Sequence, residues 1–287
     1  MTRAAPWVIW IYISPALAFL AIFLAYPVIN TFILSFLNAN STAPVGFSNY
    51  VYLFTQPDTL LVFRNNLLWL VLFTGAVVVL GLLLAVLTNQ VRYEAVAKAV
   101  IFIPMVISFT AAAVIWRIMY IYQPLGFEQT GVVNAILVAL GGTPVAWLVD
   151  PSVANFALIV AGVWMWTGFA LVVISAGLKG IPTEILEAAR VDGATEYQLF
   201  LRVILPMLRG VLVVVTVTMV INALKIFDLV YVMTFGQAGT DVIATRMFRE
   251  MFIFGDYGRA SAIAVVLLLA IIPVMVINIG RFRREAP

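Results

Sequence analysis

Six stretches of this chain are each long and apolar enough to cross a hydrocarbon layer, and they leave little sequence for anything else. A spanning helix needs about 20 consecutive apolar residues. The runs fall at residues 8–37, 65–88, 99–121, 156–178, 208–235 and 260–279. Hydrophobic residues make up 64% of the 287 and charged residues 10%, with a mean hydropathy of +1.11. A water-soluble domain cannot hide that much apolar surface, so the bilayer is the solvent and the expected fold is all-α and integral to the membrane. The first run is long enough to tilt or to extend beyond the core, with Pro15 and Pro27 as expected kinks. It is too long for a cleaved signal segment and shows no obvious cleavage site, so it reads as retained. There is no internal repeat and no low-complexity linker, which makes residues 1–287 one transmembrane domain.

Orientation follows from the bias of Lys and Arg toward the cytoplasmic side. With the N-terminus inside, Arg3, Arg92, Lys98, Lys179, Arg190, Arg202, Arg209, Arg281, Arg283 and Arg284 fall on the inner side. Arg64, Arg117, Arg246, Arg249 and Arg259 fall outside or at outer helix ends. Ten against five predicts six spans with both termini in the cytoplasm. Residues 38–64, 122–155 and 236–259 are then external loops, with a short interfacial helix expected at 131–140. Trp7, Trp10, Trp69 and Trp147 lie near span ends and read as an interfacial aromatic belt.

Several functions are excluded early. The chain has no Cys and no His, which removes a disulfide framework and the usual ligands of a zinc or redox site. A net charge of +3 is small and scattered and points to no nucleic acid partner. No Gly-x-x-x-x-Gly-Lys-Ser/Thr string occurs, so the chain holds no P-loop of its own.

Between the fourth and fifth runs lies a charged segment, residues 181–206, IPTEILEAARVDGATEYQLFLRVILP. Pro182 suits a first helical position, and Glu184 and Glu187 complement the positive end of a helix dipole. Asp192-Gly193 is a turn signal, with Gly193 free to take positive φ. Thr195 and Gln198 have the spacing of a capping box. Tyr197, Phe200, Val203 and Ile204 make an apolar face on the second helix, and Pro206 marks the entry to the next run. Two capped helices with an apolar face describe a folded element that docks on something, where an ordinary loop would be only solvated.

Glu187-Ala188-Ala189, then Asp192-Gly193-Ala194, then Ile204-Leu205-Pro206, resembles the EAA loop of binding-protein-dependent ABC importer permeases. Gly210 departs from the pattern, standing where many members carry a second proline. The resemblance extends to Ile103-Pro104-Met105-Val106-Ile107-Ser108 with Ile115-Trp116-Arg117, to Gly131 and Asn134, and to the stretch from Asn222 to Thr234. These are similar to the carbohydrate branch, on the maltose-permease side. Arg246-Met247-Phe248 and residues 258–262 look closest to permeases for α-glucosides and glucosylglycerol.

The resemblance implies a type I ABC importer fold whose helices between spans 4 and 5 seat in an ATP-binding subunit through Glu187, Ala188, Ala189, Asp192 and Gly193. It implies as partners a second permease, two ATP-binding subunits and an extracytoplasmic sugar-binding protein. It also implies a prokaryotic plasma (inner) membrane location and no cofactor in this chain, ATP and Mg being bound by the partners. The chain is then a transport subunit and not an enzyme.

Polar groups inside the apolar runs are candidates for the solute path, because a charge in hydrocarbon costs at least ~2.5–3.5 kcal/mol. Lys225 and Asp228 are one helical turn apart and can pair, with Asn222 on roughly the face of Lys225. They either line the passage or form an ion pair that holds this helix to a neighbour. Trp164, Trp166 and Phe169 can supply rings that cover the C–H faces of a sugar, or they are packing residues. By offset from the charged segment, Trp166 and Phe169 fall where the maltose-type permease contacts sugar. Arg117 either snorkels to the interface or meets a docked binding protein. A non-sugar ABC importer, an ion-coupled secondary transporter using Lys225 and Asp228, and a channel remain as rivals. A secondary transporter ordinarily shows an inverted repeat, and no ring-forming filter motif is visible.

Overall fold

The computed structural model describes residues 6–285, with side chains described for Trp7 and for residues 10–276. Helix α1 runs Pro6–Leu20, passes through a π-helical turn at Ala21–Ala25 and continues as Tyr26–Leu34. Pro27 has no N–H for the preceding turn, and the chain absorbs this by widening that turn rather than breaking. Then follow α2 (Ser48–Thr55) and α3 (Pro57–Thr88), the latter with a π-helical turn at Trp69–Phe73. Next come α4 (Glu94–Val106), α5 (Phe109–Met119), α6 (Val132–Ala139) and α7 (Ala154–Lys179). The chain continues with α8 (Thr183–Val191), α9 (Glu196–Met207) and α10 (Arg209–Leu224). It ends with α11 (Asp228–Met233), α12 (Ile243–Phe252) and α13 (Tyr257–Glu285). Among the described residues no β-strand forms, apart from one isolated bridge between Leu37 and Pro44.

Helices α1, α3, α7 and α13 are each long and apolar enough to cross a membrane. The pairs α4–α5 and α9–α10 qualify only together, bent by 98° and 66°, which makes the number of spans four to six. The third apolar run, 99–121, is therefore not one continuous helix but a bent pair. Ile107 and Ser108 are extended, and the Ser108 hydroxyl accepts from the N–H of Ala111 at 3.2 Å, starting α5 as a new helix. A serine side chain that caps the following helix competes with continuation of the preceding one. The fifth run, 208–235, is likewise divided, since α10 ends at Leu224 and α11 starts at Asp228.

The chain forms two compact units, residues 1–60 with 246–269 and residues 61–245 with 270–287. In the first, buried Asn49 donates to the carbonyls of Ser35 (2.9 Å) and Leu37 (2.8 Å). Arg246 pairs with the buried carboxylate of Glu250 at 2.9 Å and donates to the Tyr52 hydroxyl at 3.1 Å. Arg259 lies 3.9 Å above the Tyr52 ring and pairs with Asp256 at 3.2 Å.

The second unit is built around α7, whose small residues let neighbours approach closely. A Cβ at Gly168 would sit 2.5 Å from the Ile101 carbonyl oxygen and 2.7 Å from Phe102 Cα. A Cβ at Gly81 of α3 would collide with the Ala170 methyl. Trp69 does not belong to an interfacial belt; it is 0% exposed, packed on Phe73 and against Gly162. Trp147 is also drawn inward, donating its Nε1–H to Asn134 at 3.0 Å, whereas Trp7 and Trp10 are exposed. The short helix expected at 131–140 forms as α6, and buried Asn134 ties it down through the carbonyls of Ile121 and Val145 and the N–H of Val145.

Arg3 lies outside the described residues, as do the side chains of Arg281, Arg283 and Arg284.

Candidate functional site

The charged segment folds as two helices around a tight turn. Pro182 caps α8 instead of entering it, with ψ 131°, and Glu184 stands in the first turn. Gly193 takes φ +84°, and no atom lies within 4 Å of where its Cβ would be. Glycine adopts this left-handed conformation without a steric penalty. The capping box is complete: the backbone N–H of Gln198 donates to the Thr195 hydroxyl at 3.3 Å, and the backbone N–H of Thr195 donates to the Gln198 side-chain Oε1 at 3.0 Å. Arg190 donates across the turn to Glu196 at 2.9 Å, and this hydrogen bond, with the attraction behind it, holds the guanidinium above its usual pKa. Both side chains are well exposed, so the pair positions the two helices more than it stabilises them.

One detail of the second helix differs. Leu199 is buried, at 1% exposure, while Tyr197 is 74% exposed. Residues two apart lie on nearly opposite sides of a helix, so Leu199 with Val203 sets the inner face and Tyr197 faces out. Glu187, Ala188, Asp192 and Gly193 are all exposed and Ala189 is half-buried. The Glu187 carboxylate makes no hydrogen bond or ion pair among the described residues, only a longer-range attraction to Arg190. This is a shaped, charged knob with its functional groups directed away from its own chain.

The knob hangs from a polar cluster that hydropathy does not reveal. At the end of α7, Lys179 pairs with Glu94 of α4 at 2.7 Å. Lys98 pairs with the same carboxylate and with the Ser175 hydroxyl, and donates to Asn89 at 2.7 Å. Ser175 also donates to Asn89 at 2.7 Å. Helices α3, α4 and α7 are thus tied together immediately before the charged segment begins.

The candidate path residues divide into groups. Trp166 and Phe169 form an edge-to-face pair at 5.8 Å, with Phe109 5.9 Å from Trp166. Both rings are half-buried, as a platform needs. Trp164 is on another face of α7, edge-on to Trp116 at 5.7 Å, and does not join them. Asn222 is half-buried and donates to the Thr218 carbonyl at 2.9 Å, which leaves its own carbonyl oxygen for another partner. The Lys225–Asp228 pair that the spacing allows does not form among the described residues. Lys225 caps the end of α10 and Asp228 opens α11, so the helical turn meant to align them is absent, and both side chains are exposed.

Three buried asparagines, Asn65, Asn66 and Asn155, satisfy backbone around the end of α10 and the loop after α11, and sequence reasoning misses them. Asn66 donates to the carbonyls of Ala223 (3.3 Å) and Leu224 (3.4 Å), which the end of α10 leaves open, and accepts from the N–H of Ile243 at 2.7 Å. Asn65 donates to the carbonyls of Gly239 and Asp241 and accepts from Asn155 at 2.9 Å. Backbone leaving a helix inside a membrane protein must find such partners. The one signal available is an Asn-Asn pair at the head of an apolar run.

With this geometry established, comparison with known proteins is direct. Residues 77–280 match the family model of the binding-protein-dependent transport system inner membrane component, and the chain belongs to that family. It is a multi-pass membrane protein with the permease fold of type I ABC importers. It is 54% identical over 274 residues to the osmoprotective compounds uptake permease protein GgtC of Synechocystis sp., covering 96% of this chain and 98% of that one. It is 43% identical over 278 residues to the α-glucoside transport system permease protein AglF of Rhizobium meliloti, covering 96% and 83%. Among solved structures, a bacterial ABC transporter involved in the import of the acidic polysaccharide alginate matches with a TM-score of 0.78 at 26% identity, over 96% of each chain.

Proposed function

We propose that this chain is one of two unlike passage-forming subunits of an ATP-driven importer in a prokaryotic plasma membrane, and that its solute is an α-glucoside, glucosylglycerol or a similar small sugar. The observation that carries the reading is the capped, exposed helix pair α8–α9, whose Glu187 has no hydrogen-bond or ion-pair partner among the described residues and whose turn depends on Gly193. Such an element needs a receptor, and two ATP-binding subunits supply it, holding ATP and Mg themselves. An extracytoplasmic sugar-binding protein delivers the solute. The names of the relatives GgtC and AglF support the solute class, and a transporter of 26% identity has been solved in complex with its alginate pentasaccharide-bound periplasmic protein.

In this reading Trp166 and Phe169 cover an apolar sugar face while Asn222 accepts or donates to hydroxyls. The ion-coupled alternative rests on Lys225 and Asp228, which stand on either side of a helix break without pairing. Trp166→Ala and Asn222→Ala are expected to reduce uptake at least about tenfold, the worth of ~1.4 kcal/mol of lost solute contact, while the complex still assembles and hydrolyses ATP. Transport at wild-type rate and solute range by both variants would reject the assignment.

In the same reading both termini lie in the cytoplasm. The internal partners of Arg246 and Arg259 give these two arginines a structural reason to be outside, which strengthens the charge asymmetry. A reporter fused after Arg284 should be active only in its cytoplasmic form; activity on the external side contradicts this orientation.

A further inference from the structure

The second unit holds an open cavity of about 580 Å³, within the range of small-molecule sites, lined by Arg117, Tyr120, Tyr122, Val149, Tyr231 and Thr234 among others. The Tyr120 hydroxyl donates to the Ala157 carbonyl at 3.1 Å, fixing the cavity beside the first turn of α7. The charged segment starts just past the last turn of the same long helix, at Lys179. The cavity therefore sits at the end of the unit opposite the proposed ATPase contact.

Its chemistry is that of a site for a polyhydroxylated ring. Tyrosines from the C-terminal cap of α5, from the loop after it and from α11 supply flat apolar surface, with Tyr120 tilted against Trp147 at 5.8 Å and Tyr231 stacked on Phe227 at 5.0 Å. Arg117 projects five N–H donors and has no hydrogen bond or ion pair among the described residues. No carboxylate among the described residues lines the cavity. The nearest one in sequence, Asp150, accepts from the N–H (2.8 Å) and hydroxyl (2.7 Å) of Ser152. An unpaired guanidinium beside aromatic faces calls for a ligand with oxygen acceptors and C–H faces, and rejects a cation. The rim is also strained: Phe235, which lines it, takes φ +56°, a conformation retained at a cost by a non-glycine residue.

We infer that this cavity is an outer sugar station, distinct from Trp166 and Asn222, in which a neutral glycoside stacks on tyrosine rings and accepts hydrogen bonds from Arg117 before it enters the passage. The inference rests on the transport reading above and refines its route. The chain has no cysteine, so Val149→Cys places a single thiol at the cavity. In the assembled importer in lipid nanodiscs, its labelling by a maleimide is measured with sucrose, trehalose or glucosylglycerol, with sorbitol as control, and with the sugar-binding protein alone.

The expected result is at least a threefold slowing by one of the three glycosides and none by sorbitol. Adding Arg117→Gln should abolish the protection while the thiol stays reactive. In the otherwise unchanged chain, Arg117→Gln should raise the KM for uptake five- to tenfold at unchanged maximal rate, with Arg117→Lys partly restoring it. Protection by the sugar-free binding protein alone would make the cavity a protein docking surface and overturn the inference. A glycoside that is transported but does not protect, or a thiol at position 149 that no reagent reaches, overturns it as well and leaves the transport reading intact. Failure to take up any of the three glycosides counts against the solute class itself.

Discussion

Gly168→Val is expected to abolish recovery of a folded chain. At this crossing α7 meets α4 with no side chain between them. The first atom of any substituent would lie 2.5 Å from one backbone atom and 2.7 Å from another. Overpacking costs about 1–3 kcal/mol even where flexible side chains can yield, and here the obstruction is main chain, which cannot. Association of helices in lipid depends on close packing, since the hydrophobic effect does not drive it there. The measurement is the yield and thermal midpoint of monodisperse protein after detergent extraction. Gly75→Ala is the control, because nothing lies within 4 Å of its added methyl. Wild-type yield and midpoint for Gly168→Val would show that α4 and α7 do not cross at this glycine.

Glu187→Ala is expected to separate ATP hydrolysis from solute uptake, with membrane insertion intact. Glu187 is exposed on α8 and unpaired among the described residues, so its removal leaves no buried group there unsatisfied. In the ATPase cleft the same carboxylate would be desolvated against a basic group in a charge-assisted contact. Deleting one member of a fully buried pair costs about 3–5 kcal/mol, at least about a hundredfold in the docking equilibrium. Gly193→Val should give the same phenotype by another route, since a β-branched residue resists the positive φ that joins α8 to α9. Pull-down of the ATP-binding subunit with binding-protein-stimulated hydrolysis reads both variants, and wild-type values in both would reduce the segment to a connecting loop.

Whatever local residues decide is legible in the sequence. Thr195 and Gln198 form their capping box within one helical turn, and Gly193 closes a helix by its own conformational freedom, so both are visible. The long apolar runs announce α1, α3, α7 and α13 because hydropathy depends only on composition. The breaks are not visible. The end of α10 at Leu224 is stabilised by Asn66 of α3, a residue so distant along the chain that no window around Lys225 contains it. The Ser108 cap stands in a recognisable motif, yet inside an apolar run a serine reads as a tolerated polar residue until the backbone is seen to turn. Trp69 resembles a belt residue by its place near a span end, but Gly162 across the helix crossing opens the space that buries it. The aromatic candidates on α7 divide because residues two apart point to different faces, which separates Trp164 from Trp166.

The most direct test of the central claim is the ratio of solute taken up to ATP hydrolysed by the complete importer in proteoliposomes, for wild type and Glu187→Ala. The account predicts that wild-type uptake needs both ATP and the binding protein, and that Glu187→Ala lowers the ratio at least about tenfold. Uptake that persists without ATP under an imposed proton or sodium gradient, with an unchanged rate in Glu187→Ala, would contradict it.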